Sequence, residues 1–449
     1  MSLPQEFIIS IPFTEEEKFK LINGLQAEPV VSVRKNPFKE NNLFEKEGQV
    51  AWSKNGKYLK ERPYFISDPL FHAGTYYSQE ASSMFLEIIL RSLDLSGKVI
   101  LDLCAAPGGK STLINSCLPK DGLLVANEVI KSRSWILKEN LDKWGSSNVV
   151  VTNNDPVDFK QFLGFFNVVV VDAPCSGEGM FRKDKNAINE WSERNVDLCC
   201  TRQKRILADI IPSITNGGVL IYSTCTFNNK ENRDNLKWLQ DSYEVENLDF
   251  NYPSGEGIIE LEEGELKGFQ FLPGVTKGEG FFISAMRIYG GREKLKLPKR
   301  IRKLRLNKWE GGSADFLNNN NNNYIINETI HNFPEKFEDI LKSIIWDLKP
   351  IKTGCEIGQE IKGKIKYSHE LAFSHELKKE AFDLVEVSKD DAIRYLQKKD
   401  LPVIPDIKSW GLITFENQPL GWVKKVGNRL NNYYPKEFRI RKDVLREKS

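Results

Sequence analysis

An α/β fold with a doubly wound, Rossmann-like parallel sheet at its centre is predicted by three observations. Between residues 98 and 290, short β-branched runs alternate with helical stretches, the pattern of successive βαβ units. A loop of small residues follows the first run, and carboxylates stand at or just beyond the ends of the next three. Strand carboxyl ends near the point where strand order reverses are where such sheets hold ligands.

Residues 1–90 precede this sheet, with a helix expected over Thr14–Leu25 and an aromatic-rich turn region from Tyr58 to Tyr77. The five strands are expected at Lys98–Leu103, Leu123–Asn127, Asn148–Thr152, Asn167–Asp172 and Gly218–Ser223. The last should follow a helix over Arg202–Ile214 that is closed by Gly217-Gly218. Runs around Gly268–Leu272 and Phe281–Tyr289 suit an antiparallel hairpin at the sheet edge. Between Gly255 and Gly268, Glu256, Glu260, Glu262, Glu263 and Glu265 suggest a solvated acidic loop.

From Gly290 to Lys308 there are nine Lys or Arg residues against the single Glu293, which fits either a phosphate-contacting patch or a solvated linker. Asn318–Asn323 reads as a disordered spacer, since a run of asparagines builds no apolar core. Patterning resumes from Ile325 with strand-like pieces such as Glu360–Tyr367 and Gly411–Phe415. The expected units are therefore 1–90, 91–290, a linker over 291–324, and 325–449.

At 449 residues the chain is too long for one core. A net charge of +2 excludes a polycation that coats nucleic acid by charge alone. No apolar run approaches the roughly 20 residues of a membrane span, and Met1–Phe7 shows no secretory leader, so a soluble, cytoplasmic protein is expected. Seven irregularly spaced cysteines imply free thiols rather than a disulfide framework.

Three motifs carry chemistry. Asp102-Leu103-Cys104-Ala105-Ala106-Pro107-Gly108-Gly109-Lys110-Ser111 opens a helix after the first strand, where small residues let a ligand approach the backbone. It lacks the spacing of a dinucleotide fingerprint or a P-loop. Glu128, nineteen residues after Gly109, could hold the two hydroxyls of a ribose; Asp155 would lie near an adenine amino group; Asp172 ends the fourth strand. Together these acids indicate a nucleoside cofactor. The second motif, Val171 to Phe181, contains Pro174-Cys175, and the third, Tyr222 to Asn228, contains Ser223-Thr224-Cys225.

Two cysteines on neighbouring loops over one sheet edge are hard to read as packing, whereas Cys104, Cys117, Cys199, Cys200 and Cys355 each can be. The four histidines are distant in sequence, so no zinc site is expected. Carbon 5 of cytosine becomes nucleophilic only after covalent addition at carbon 6, which a thiolate performs; a second thiol or base can help to expel it. A carboxyl group such as Asp172 could stabilise the adduct at N3, and Lys110 could hold the base or its ribose phosphate and favour a thiolate. From the residues alone, the Pro-Cys dipeptide favours Cys175 over Cys225 as the nucleophile.

The strings DLCAAPGGKS at 102–111, DAPCSGEGMF at 172–181 and STCTFN at 223–228 resemble the Sun/RsmF-type RNA (cytosine-5) methyltransferases. Tyr77–Met84, Glu279–Phe282 and the tail Leu420–Lys424 with Asn432–Pro435 extend the likeness over most of the chain. The resemblance implies a Rossmann-like methyltransferase sheet with an N-terminal α+β RNA-binding region and a C-terminal PUA-like domain. It implies S-adenosylmethionine as cofactor, held by Cys104 through Lys110 with Glu128, Asp155 and Asp172. It assigns the nucleophile to Cys225 and product release to Cys175. The expected substrate is 16S rRNA or the small subunit, with transfer RNA as the alternative, and the expected state is a monomer.

Two other readings compete. A non-catalytic RNA-binding protein would not need Cys175, Cys225, Asp172 and Lys110 together, and a thiol oxidoreductase would leave the cofactor loop unused and lacks a Cys-x-x-Cys motif. In the tail, Lys424, Lys425, Arg429, Arg439 and Arg441 interleave with Trp422, Tyr433 and Tyr434, which suits phosphate contact and base stacking. Trp422 itself is expected in the core.

Overall fold

The computed structural model describes residues 3–292, 301, 303–311, 315–319, 321–401 and 407–441. A small antiparallel sheet comes first, built from β1 (Val31–Lys35), β2 (Gly48–Gln49), β3 (Gly56–Leu59) and β4 (Tyr76–Tyr77) in the order β2-β3-β1-β4. The helix Glu15–Gln26 precedes it. Thr14 caps that helix by accepting the Glu17 N–H, while Glu17 reaches back to the Thr14 N–H.

The central sheet contains β5 (Val99–Asp102), β6 (Leu123–Asn127), β7 (Val149–Thr152), β8 (Phe166–Asp172) and β9 (Ile214–Thr224), all parallel in the order β9-β8-β5-β6-β7. Strand order reverses between β5 and β8, which opens the crevice above their carboxyl ends. Helices cover both faces. Ile100, Leu124 and Val151 pack on one side with Leu113, Ile114 and Leu137, whereas Leu101, Val125 and Val150 pack on the other with Ile206, Leu207 and Leu236. Burial on both faces explains why these strands read as continuous apolar runs.

Beyond β9 the sheet turns antiparallel through β10 (Val245–Asn247), β11 (Ile259–Glu263), β12 (Leu266–Phe271) and β13 (Phe281–Ile288). The expected hairpin is β12–β13, but β13 lies inside the sheet against β9. The expected acidic loop is instead largely the edge strand β11, whose Glu260 and Glu262 face solvent and whose backbone pairs with β12. The helix before β9 spans Glu193–Ile210, and Gly217-Gly218 falls within β9, where Gly217 takes φ 70°. That glycine marks an irregularity in the strand rather than a helix end.

A third sheet combines β14 (Asn307–Lys308), β15 (Asn322–Ile326), β16 (Thr329–Phe333), β18 (Cys355–Ile361) and β19 (Lys364–Tyr367). Between its members, β17 (Pro350–Thr353) leaves to pair with β7, extending the central sheet by one strand. A fourth sheet is formed by β20 (Asp383–Glu386), β21 (Trp410–Phe415), β22 (Gln418–Val426) and β23 (Arg429–Asn432).

The asparagine run is not the spacer expected from its composition. Asn322 and Asn323 belong to β15, and the Asn332 carboxamide accepts from Asn319 at 2.8 Å and Asn321 at 3.1 Å while donating to Asn323 at 2.9 Å. A carboxamide both donates and accepts, so stacked asparagines satisfy one another. The basic stretch after Gly290 falls mostly on residues 293–300 and 302, outside the described residues. Among the described residues, no helix is long and apolar enough to cross a membrane.

Candidate active site

The loop after β5 carries Asp102 into the helix Gly109–Cys117. Gly108 takes φ 115°, and its N-terminal turn leaves the Ala105–Gly109 backbone bare of large side chains. Asp102 is fully buried. Ser111 Oγ donates to its Oδ2 at 2.6 Å, whereas Oδ1 has no hydrogen-bond partner. Burial, against the Ser111 hydrogen bond, pushes its carboxyl up to about 7.

Two buried glutamates fix the cysteine loops. Glu178 accepts from Thr226 Oγ1 at 2.6 Å, from the Phe227 and Asn228 N–H groups at 2.8 and 3.1 Å, and from Trp191 Nε1 at 3.0 Å. Glu231 accepts from the Ser176 N–H at 3.0 Å, Gln203 Nε2 at 2.6 Å and Asn228 Nδ2 at 2.8 Å. Each loop is thereby held by a carboxylate from the other side. Gly179 donates to the Cys225 carbonyl at 2.8 Å. A Cβ at Gly179 would lie 2.6 Å from the Gly280 carbonyl and 2.9 Å from that of Cys225, so only glycine fits there.

This frame sets Cys175 Sγ 2.9 Å from Cys225 Sγ, and the Cys225 N–H donates to Cys175 Sγ at 3.3 Å. Both cysteines are free. The hydrogen bond to Cys225, followed by burial and the proximity of Cys225 as a charged group, holds the Cys175 thiol well above the ordinary range.

Lys110 Nζ pairs with Asp172 Oδ2 at 2.8 Å, and Ser223 Oγ donates to Asp172 Oδ1 at 2.8 Å. Burial opposes the Lys110 charge, but Asp172 overcomes it and raises the ammonium above its usual value. The same ammonium lies 4.9 Å from the Phe281 ring centroid.

A cavity of about 590 Å³ unites these groups, a volume suited to a small organic ligand. Of the residues expected at the site, Cys104, Ala105, Ala106, Pro107, Gly109, Lys110, Asp172 and Cys225 line it. Cys175 stands behind Cys225. Gly108 supports the turn. Glu128 is buried at the rim of the loop, where it accepts the Ile130 N–H at 2.9 Å and faces Arg133 at 3.8 Å; Arg133 lines the cavity. Asp155 lies outside the lining, capping the Val157 N–H at 3.1 Å and pairing with Arg205 at 3.5 Å. The small-residue turn, the unpartnered Asp102 oxygen and the neighbouring Glu128 carboxylate fit a nucleoside with a polar tail.

The remaining wall includes residues to which the sequence assigns no role, although Gln79, Glu80, Met180 and Glu279 fall inside segments that carry the resemblance. Val30, Ser32, Gln79 and Glu80 come from the N-terminal unit, and Met180, Lys183 and Glu279 from loops. Behind the wall, the fully buried Arg34 donates to Gln79 Oε1 at 2.7 Å, Thr112 Oγ1 at 2.6 Å, Ser116 Oγ at 3.0 Å and the Gly109 carbonyl at 3.4 Å. It stacks 4.6 Å from Trp144. One residue of β1 thus braces the helix that begins with Gly109 and Lys110. Nothing in the strand Val31–Lys35, where Arg34 stands beside Lys35, marks it out in sequence.

In the tail, Trp422 is buried and stacks on Tyr367 at 5.3 Å. Tyr434 is core as well, packed against Tyr395, and so offers no stacking surface, contrary to expectation. Tyr433 remains partly exposed beside Trp410, over which Lys424 sits at 4.9 Å.

Three family models match the chain. One described as 16S rRNA methyltransferase RsmB/F covers residues 91–287, the N-terminal domain of 16S rRNA methyltransferase RsmF covers 3–81, and the methyltransferase RsmF PUA domain covers 382–440. Among curated relatives, ribosomal RNA small subunit methyltransferase F of Salmonella arizonae is 31% identical over 385 residues, spanning 82% of this chain and 78% of the relative. The protein of the same name from Shewanella piezotolerans is 28% identical over 413 residues, spanning 87% and 85%. Among solved structures, a methyltransferase homologue from Pyrococcus horikoshii matches with TM-score 0.53 and 26% identity over 63% of this chain and 97% of that one. NSun6 from the same organism shares the fold with TM-score 0.53 at 20% identity, over 65% and 98%.

Proposed function

Because the chain belongs to the RsmB/F family of 16S rRNA methyltransferases, we propose that it methylates carbon 5 of a cytosine in small-subunit ribosomal RNA through a Cys225–carbon 6 adduct. The observation that carries the reading is the pair of free thiols, 2.9 Å apart, with Cys225 opening into one cavity with Lys110 and Asp172 and Cys175 behind it.

Cys104 through Lys110 with Glu128, and Asp155 beyond the rim, would hold S-adenosylmethionine, which would supply an electrophilic methyl group. Cys225 Sγ attacks carbon 6 as a thiolate, and the electron pair of the C5–C6 bond moves to carbon 5, which takes the methyl group. Asp172 and Lys110 stabilise the ring charge through N3 and its neighbours. A base then removes the C5 proton, and the C6–S electron pair returns to Sγ. Cys175, kept protonated, donates a hydrogen bond to the departing Cys225 sulfur and eases release. The N-terminal unit and the tail with its PUA domain hold the RNA.

Labelled S-adenosylmethionine incubated with small subunits, naked 16S rRNA and transfer RNA from a host lacking this gene tests the reading, with bisulfite sequencing to locate the mark. A single 5-methylcytidine in 16S rRNA is the expected result. Label confined to transfer RNA, or at an atom other than carbon 5, would overturn it.

A further inference from the structure

Glu279 is a carboxylate that the two-thiol chemistry leaves unused. It lines the cavity of Cys225, Lys110 and Asp172, yet its side chain is only 3% exposed. Its backbone N–H donates to Glu80 Oε1 at 2.8 Å, and its carbonyl accepts from Ser82 Oγ at 3.0 Å. Its Oε2 accepts from Arg182 Nε at 2.9 Å. Arg182 is buried too, and donates to the carbonyls of Gly278 at 2.9 Å and Gly24 at 3.2 Å, so the ion pair is braced from separate parts of the chain. The remaining oxygen, Oε1, is paired with the Lys183 ammonium at 3.4 Å, and no group among the described residues makes a well-formed hydrogen bond to it.

Backbone contacts hold the Glu279–Gly280 segment against the loop of the nucleophile. Gly179 bridges the two, donating to the Cys225 carbonyl and lying so close to Gly280 that no side chain could separate them. A carboxylate oxygen has room for more than one donor, and buried acceptors in native sites are met by well-formed hydrogen bonds. Beside the Lys183 ammonium, a donor can enter on a group inserted to the depth of Cys225, which for a nucleic acid is a base turned out of its stack. Cytosine offers the N4 amino group. Uracil presents a carbonyl oxygen at that position, which a carboxylate repels, and sites built to bond a polar group strongly reject the analogue lacking it.

We propose that Glu279 is a specificity-determining residue: its Oε1 accepts the N4–H of the target cytosine and excludes uracil. The proposal rests on the cytosine-5 reading above.

The test uses the full chain, S-adenosylmethionine and two small-subunit transcripts, one with 5-fluorocytidine for cytidine, the other with 5-fluorouridine at the target position. Fluorine cannot leave as a proton would, so the Cys225 adduct persists and is counted on a denaturing gel. Wild type should trap the first transcript and not the second. Glu279→Gln should trap the first at least about tenfold less and begin to trap the second. Because the readout is a ratio within one preparation, partial misfolding does not affect it. Glu279→Asp, which keeps the charge but withdraws it, should lose trapping of the first without gaining the second. Wild-type selectivity in Glu279→Gln overturns the proposal, as does loss on the first transcript with no trapping gained on the second, or an unaltered Glu279→Asp. Failure of the wild type to trap the 5-fluorocytidine transcript would instead overturn the cytosine-5 reading.

Discussion

The sulfur of Cys175 stands 2.9 Å from that of Cys225 and also accepts the Cys225 backbone N–H. At this separation two thiolates would repel strongly, so ionising one keeps the other protonated. The raised Cys175 thiol and the Cys225 face in the cavity support the proposal that Cys175 keeps its proton.

The frame around this pair should matter as much as the sulfurs. Glu178→Gln removes a carboxylate that accepts from Thr226 and from the N–H groups of Phe227 and Asn228. Loosening the Cys225 loop should lower the single-turnover rate by about 10²-fold, the scale of a modest misplacement. Calorimetric affinity for S-adenosylhomocysteine should stay within about twofold, since no cofactor-loop contact is lost. An unchanged rate would mean the loop holds its shape without Glu178.

Arg34 links the N-terminal unit to the cofactor loop. Arg34→Met should leave Gln79, Thr112, Ser116 and the Gly109 carbonyl short of a donor and cost about 1–3 kcal/mol of stability. Affinity for S-adenosylhomocysteine should fall about tenfold, on the order of 1.4 kcal/mol. A melting curve together with calorimetry separates the two effects. A destabilised variant with wild-type affinity would make Arg34 purely structural.

Much of the fold was legible because its signals are local. Strands β5 to β8 are buried on both faces and therefore run apolar, and the motif loops contain residue types that packing alone does not demand. What could not be read depends on distant partners. Pro350–Thr353 becomes a strand only because Val150–Thr152 offers an open edge some 200 residues earlier. The asparagine run is ordered by Asn332 and Ser147, which no local pattern foretells. At the site, Glu279 belongs to a segment legible by resemblance but its role depends on Arg182 and Glu80, while Arg34 reads as an ordinary charged residue until the chain brings Gln79 against it.

Acid should unfold the protein through its histidines. Burial, as the main cause, depresses His72 and His331 to about 4 and His369 and His375 to about 3. The unfolded value is about 6.5. The neutral forms therefore contribute stability that is present above pH 6.5 and lost as pH falls toward 4 and below. Urea midpoints should drop between pH 7.5 and pH 5, and His375→Gln should show a smaller drop. Equal drops in the two proteins would remove His375 from the transition.

The measurement that bears most directly on the mechanism is covalent trapping on RNA by the two cysteine variants, with S-adenosylmethionine present. Cys225→Ala should neither methylate nor trap, because no enamine can form without the nucleophile. Cys175→Ala should methylate once and then release slowly, leaving a thioether that survives detergent and heat as a band shifted by the mass of the RNA. The double variant should show no such band. Accumulation of the adduct in Cys225→Ala, with none in Cys175→Ala, would contradict the account and make Cys175 the nucleophile.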